Sequence, residues 1–161
     1  MKIFLSHQQA DERFAVETAR RLSTMHRIDC YLDVIDPYIN GRVEDLADHI
    51  RAKMSDCTQL LAIVSNATLA SQWVPWEIGV ATEKDFPLAT YSADGQKPPE
   101  FLAKWPYLRS VVDLDQYALA SRAATAGIGM EMLKEATASG ARARRSSTAQ
   151  FYRTLRAQLN Q

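Results

Sequence analysis

Four short, largely apolar runs are predicted to form strands. They lie at 3–5, 29–32, 60–64 and 88–91, and a fifth strand is expected around 110–114. The run at 60–64 is apolar throughout, which is typical of a strand covered on both faces rather than half-exposed.

Three segments between these runs carry apolar residues at helical spacing. The first begins near Asp11, whose carboxylate is expected to cap a helix that extends to about Met25. The second spans 43–54, and the third extends from near Trp73 to Lys84 with a proline in its first turn, where proline is tolerated.

The alternation of strands and helices predicts a three-layer α/β fold, in which a parallel sheet is covered by helices on both faces. Right-handed crossovers and five strands favour the flavodoxin-like order 2-1-3-4-5. In this fold a ligand binds at the carboxyl ends of the first and third strands, where the strand order reverses. Residues 6–7 and 65–66 are expected at that edge.

The last 41 residues differ in composition from the rest of the chain. We expect a domain over 1–120 and a C-terminal helical extension over 121–161, which is rich in Ala, Ser, Thr and Arg. Residues 149–159 have helical spacing and predict a final helix. This helix either packs on the domain after a mobile linker or contacts a partner.

Composition narrows the classes of partner. The formal net charge is zero, which favours neither nucleic acid nor an anionic membrane as a partner.

The two cysteines show no metal or redox spacing and are expected to be reduced, and the three histidines are too scattered for a metal site. The first apolar run is too short for a signal peptide or a membrane span, so we expect a cytoplasmic protein.

Several segments resemble the TIR (Toll/interleukin-1 receptor) domain family. The most specific is Ser-Gln-Trp-Val-Pro-Trp-Glu-Ile at 71–78, which contains the family's Trp-x-x-x-Glu pattern after a strand and a turn. The resemblance covers about residues 1–115. The Ser-His ending of the first box and the short chain resemble the microbial, NAD-cleaving branch, in particular standalone Thoeris-type anti-phage proteins. The other matching segments are the first box at 3–7, the end of the second strand at 31–33, the gating loop at 33–41 and the third strand at 63–65.

The resemblance implies that Glu77 is the essential catalytic residue of an NAD+ nucleosidase or ADP-ribosyl cyclase. NAD+ would be the substrate, and no separate cofactor or metal is expected. Nicotinamide leaves NAD+ as a neutral base, so the reaction requires no general acid, whereas ordinary glycosidases need a second carboxyl group to protonate the leaving group. A single carboxylate is therefore chemically sufficient. Trp73 stands one turn before Glu77 and shares its helix face.

The other candidate residues each have a structural alternative. Ser71 lies beside the ribose or simply caps the helix in competition with Gln72, and Trp73 shapes the pocket or packs in the core. Trp76 packs or stacks on the substrate. The remaining candidates are Ser6 and His7 at the end of the first strand, Asp36, Tyr38 and Asn40 in the gating loop, and Arg42 as a phosphate contact.

Two other functions remain open. TIR domains also act as non-enzymatic assembly modules that contact one another, and self-association could also activate an enzyme. A nucleoside deoxyribosyltransferase shares the fold and uses one glutamate at an anomeric carbon. A dehydrogenase is disfavoured because no GxGxxG motif follows the first strand. The resemblance further implies a signalling product, such as ADP-ribose or a cyclic ADP-ribose isomer, that is sensed by a separate effector.

Overall fold

The computed structural model describes residues 1–32, 43–92, 95, 97–134 and 140–161. All five strands are parallel and form one sheet in the order β2-β1-β3-β4-β5, which confirms the predicted flavodoxin-like fold. The strands are β1 Lys2–Ser6, β2 Asp29–Leu32, β3 Gln59–Val64, β4 Leu88–Ser92 and β5 Tyr107–Leu108. The helices are α1 Glu12–His26, α2 Val43–Ser55, α3 Trp73–Glu83, α4 Val111–Lys134 and α5 Gly140–Leu159. Short 3-10 turns cover Gln9–Asp11, Asn66–Ala70 and Glu100–Leu102.

The three central strands, β1, β3 and β4, are mostly apolar because both of their faces are covered. Alternate side chains of a strand point to opposite faces of the sheet. Ile3 and Leu5 pack in one cluster with residues of α1, α4 and α5. Phe4 and Leu60 pack in a second cluster with residues of α2 and α3. The helices therefore form a layer on each side of the sheet, as predicted.

The predicted cap of α1 is wrong in one respect. Asp11 stands at the N-cap position, but its side chain accepts no bond from the described first turn of the helix. The carboxylate is instead turned toward the end of β3, where it accepts a hydrogen bond from Ser65. α1 buries Ala15, Thr18 and Leu22, whereas Met25, near the end of the helix, is exposed.

The predicted fifth strand is also wrong. β5 comes earlier, at Tyr107–Leu108, and the segment around 110–114 begins α4. The Ser110 hydroxyl accepts from the Asp113 N–H at 3.2 Å, and the Asp113 carboxylate accepts from the Arg109 N–H at 2.7 Å. This Ser-x-x-Asp start is a helix signal, and it outweighs the strand preference of the two adjacent valines.

The C-terminal segment is part of the packed structure. α4 continues through residue 120 to Lys134, and α5 begins earlier than the predicted 149. Phe151, Leu155 and Leu159 of α5 are buried in the same cluster as β1 and α1. Burial of these three side chains stabilises α5 against the sheet, so this helix packs on the domain.

Both cysteines are free thiols, as expected. Burial raises the pKa of the Cys30 thiol to about 12 and that of Cys57 to about 11. Both therefore stay protonated at neutral pH and behave as small apolar side chains.

Candidate active site

The carboxyl ends of β1 and β3 lie side by side and bring two distant segments together. Ser6, the last residue of β1, is in register with Ala62 of β3. Because side chains alternate along a strand, Ser6 points to the same face as Phe4, the face covered by α2 and α3. The end of β1 is thereby directed toward α3.

The sequence offered two candidates, Ser71 and Gln72, for the N-terminal cap of α3. The Ser71 hydroxyl accepts from the Val74 N–H at 3.1 Å, whereas the Gln72 side chain accepts no bond from the described first turn. Ser71 is therefore the cap. The face of α3 that packs on the sheet carries Val74, Ile78 and Ala81, and Glu77 lies on this same buried face.

Glu77 and Ser6 form the centre of the candidate site. The Ser6 hydroxyl donates a hydrogen bond to Oε2 of Glu77. Ser6 is 0% exposed and Glu77 is 1% exposed. A buried carboxylate is costly unless hydrogen bonds compensate for the lost water, and a hydroxyl that donates to a charged oxygen makes a stronger bond than one between neutral groups. This contact holds the carboxylate at the edge of the sheet where ligands bind in this fold.

The two tryptophans of α3 pack against each other. Their rings meet edge to face, with centroids 5.5 Å apart and an interplanar angle of 87°. Both are partly buried against the second core cluster. Trp73 and Trp76 therefore have a packing role, and their partly exposed surfaces leave room for the ligand contact that the sequence suggested.

His7 follows Ser6 but is engaged by the backbone. Its Nδ1–H donates to the Leu5 carbonyl oxygen at 3.2 Å, and the ring is half-buried. The structure thus brings Ser6 to Glu77 and leaves Ser71 at the helix cap. The other expected contacts, Asp36, Tyr38, Asn40 and Arg42, lie outside the described residues.

A second polar pair near this edge was not foreseen from the sequence. The Ser65 hydroxyl, just after β3, donates to Oδ2 of Asp11 at 2.8 Å. Both residues line a shallow depression of about 430 Å³ together with Phe14 and Asn66. This depression lies beside α1, on the face of the sheet opposite Glu77. In the sequence, the only sign of this pair is that Asp11 comes shortly after the first strand and Ser65 directly after the third.

Fold and site together define a flavodoxin-like α/β domain with a buried carboxylate at its strand-switch edge. The sequence over residues 3–123 matches the TIR domain family. The match covers well over half of the chain, and the chain belongs to this family. No curated protein matches the chain.

Two searches of the described residues bear on partners. Among the helices of the described ranges, none is long and apolar enough to cross a membrane. Within the same ranges, no group of three or more His, Cys, Asp or Glu residues is arranged to hold a metal ion.

Proposed function

We propose that this TIR domain cleaves the nicotinamide–ribosyl bond of NAD+, with Glu77 as the catalytic carboxylate. The observation that supports the proposal is the Ser6–Glu77 pair. A glutamate is held inside the domain at the carboxyl ends of β1 and β3, and its oxygen is oriented by a hydroxyl. This edge is where ligands bind in doubly wound folds.

The chemistry requires little beyond this carboxylate. The bond between ribose C1′ and the pyridinium nitrogen breaks, and its electron pair goes to nitrogen, so nicotinamide leaves neutral. Positive charge develops on the ribose as an oxocarbenium ion, which Glu77 stabilises across a short distance in a region of low dielectric. Attack of water at C1′ then gives ADP-ribose and a proton, whereas attack by a nitrogen of the adenine gives a cyclic isomer. A second base would give an exchange product.

Burial of Glu77 has a consequence for activation. At 1% exposure, the carboxylate contacts ribose only after neighbouring groups move. TIR domains commonly self-associate, and we propose that assembly opens the site. The other residues proposed to contact the substrate are His7, Ser71, Trp73 and Trp76 near Glu77, and Asp36, Tyr38, Asn40 and Arg42 in the segment before α2.

We further propose that this activity takes place in the cytoplasm and serves anti-phage immunity of the Thoeris type. The resemblance of the first box and of the segment at 71–78 to standalone microbial TIR proteins supports this setting. There the product acts as a messenger for a separate effector.

An assembly module without catalysis is the second candidate. Val112 and Leu119 of α4 are seven residues apart and share a face, and they are 63% and 55% exposed. Exposed apolar side chains of this size on one helix face are compatible with a contact surface.

The test is an assay of nicotinamide release. Purified protein is incubated with NAD+ at high protein concentration with a crowding agent, and products are separated by HPLC with mass detection. Glu77→Gln keeps the size and polarity of the side chain but removes its charge, and Glu83→Gln makes the same change at an exposed position of the same helix.

We expect release by the wild type and by Glu83→Gln, and a loss of at least about 100-fold in Glu77→Gln. The mass of the second product separates ADP-ribose from a cyclic isomer, which is one water lighter. Equal release by all three proteins would exclude Glu77 as the catalytic group. Cleavage of purine deoxynucleosides instead of NAD+ would indicate a deoxyribosyltransferase. Concentration-dependent self-association without any release would favour the assembly module.

A further inference from the structure

A continuous path of hydrogen bonds connects the start of α1 to the first turn of α3. It begins at Asp11, which is 8% exposed and whose Oδ2 accepts from the Ser65 hydroxyl at 2.8 Å. Asp11 occupies the cap position of α1 without capping it. Its carboxylate is therefore available to Ser65, and the bond joins segments 54 residues apart.

Ser65 in turn organises the 3-10 turn Asn66–Ala70. Its hydroxyl oxygen accepts from the Ala67 N–H at 3.1 Å while donating to Asp11. The Ser65 N–H donates to the Thr68 hydroxyl at 2.9 Å, which completes a reciprocal capping box. A hydroxyl that donates to a carboxylate becomes a better acceptor, so the Asp11 contact strengthens the Ala67 bond.

The end of this turn leads directly into α3. The Thr68 carbonyl accepts from the Ser71 N–H at 3.1 Å, and the Ser71 hydroxyl caps α3 through the Val74 N–H at 3.1 Å. Thr68 is buried, so packing of its side chain also holds the turn in place. Glu77 follows Val74 by less than one turn, and its position depends on where α3 begins.

We propose that Asp11 is a positioning residue that acts through Ser65 to set the start of α3 and thereby the place of Glu77. The effect on catalysis rests on the proposed NAD+ cleavage, whereas the effect on the geometry of α3 does not. Catalytic groups tolerate little displacement, and a shift of about 1 Å is enough to cost on the order of 100-fold in rate. A carboxylate that touches no reacting atom would thus affect the reaction strongly.

The test uses four variants, one control variant and two readouts. Asp11→Ala removes the acceptor, Asp11→Asn keeps an oxygen that can accept from Ser65, and Ser65→Ala removes the donor. The double variant Asp11→Ala/Ser65→Ala completes a cycle. Glu17→Ala is the control, because Glu17 is an exposed acid on α1 whose ion pair with Arg13 is also exposed.

The first readout is amide hydrogen exchange, which needs no enzymatic activity. We expect Asp11→Ala and Ser65→Ala to speed exchange over residues 65–77 at least about tenfold while α5 keeps its protection. Unchanged exchange over 65–77, or equal acceleration throughout the chain, would overturn the proposal even if the protein did not cleave NAD+. If Asp11→Ala does not fold, Ser65→Ala, which removes a single oxygen, decides the same question.

The second readout is the kinetics of nicotinamide release by folded protein. We expect kcat to fall by roughly 10- to 100-fold in Asp11→Ala with little change in KM, and Asp11→Asn to recover most of the loss. In the Ser65→Ala background, adding Asp11→Ala is expected to lower kcat by less than about a further twofold, because the hydrogen bond between the two residues is already lost. Independent losses that multiply in the double variant would contradict action through Ser65.

Discussion

Replacing Ser6 by alanine tests whether the hydrogen bond to Glu77 is charge-assisted. The change removes one oxygen from a side chain that is fully buried, and the acceptor on Glu77 is buried as well. Water therefore neither screens this bond in the folded protein nor replaces the lost donor easily in the variant. Ser147→Ala is a matched control, since the buried Ser147 hydroxyl donates to the neutral carbonyl of Ala124 at 2.6 Å.

The expected magnitudes differ by the charge on the acceptor. A hydrogen bond to a charged group contributes about 1.5–3 kcal/mol, and one between neutral groups contributes about 1 kcal/mol. Ser6 is not the sole partner of Glu77, so we expect Ser6→Ala to cost about 2 kcal/mol and Ser147→Ala about 1 kcal/mol. In a Glu77→Gln background the acceptor is neutral, and the cost of Ser6→Ala should fall to about 1 kcal/mol.

Urea denaturation measures these costs as shifts of the midpoint at constant slope. For a chain of this size, a loss of 2 kcal/mol corresponds to a decrease in Tm of about 4–8 °C. The reasoning would be refuted if Ser6→Ala cost no more than Ser147→Ala, or if its cost were the same with and without the charge on Glu77.

Two further predictions concern the rest of the fold. Phe151→Ala in α5 is expected to lower the free energy of unfolding by about 3–5 kcal/mol, because the ring is buried. Leu119→Ala, at an exposed position, should change it by less than about 0.5 kcal/mol. Equal urea midpoints for the two variants would show that α5 does not stabilise the domain. Asp115 accepts two bonds from Arg21 and one from His26, and the bond from Arg21 is the main cause of its lowered pKa. Because the pKa of Asp115 is lower in the folded than in the unfolded protein, its ionised form stabilises the fold at any pH above the unfolded pKa, near 4. This stabilisation is lost as the pH falls through the folded pKa. Asp115→Asn should therefore cost about 1 kcal/mol at pH 7 and progressively less below pH about 4. A cost that stays constant between pH 7 and pH 3 would contradict this assignment.

The central strands and α3 were predictable because local pattern and tertiary environment agree there. β3 is apolar at nearly every position and is buried on both faces, so its sequence admits little else. The start of α3 was predicted near Trp73 from the turn that precedes it, and the structure begins the helix at that residue. Glu77 was a candidate because the Trp-x-x-x-Glu pattern was predicted to lie in a strand–turn–helix context, and the structure confirms that context.

Local signals conflict at the start of α4, and the strand signal is the weaker one. The pair Val111 and Val112 favours a strand, whereas Ser110 and Asp113 favour a helix start. Both valines are partly or largely exposed, so packing does not support the strand preference. The cap bonds of Ser110 and Asp113 decide the local structure in favour of the helix.

By itself, the sequence determined the strands and helices from β1 to β4, the order of the strands in the sheet and the position of one carboxylate on a helix. These follow from hydrophobic periodicity and capping, which act over a few residues. Only the tertiary structure decided that Ser6 pairs with Glu77, 71 residues away, and that Asp11 binds Ser65 rather than capping its own helix. Both contacts form because parallel strands place their carboxyl ends at one edge of the sheet. A buried carboxylate there accepts a hydrogen bond from the donor that the tertiary packing places next to it.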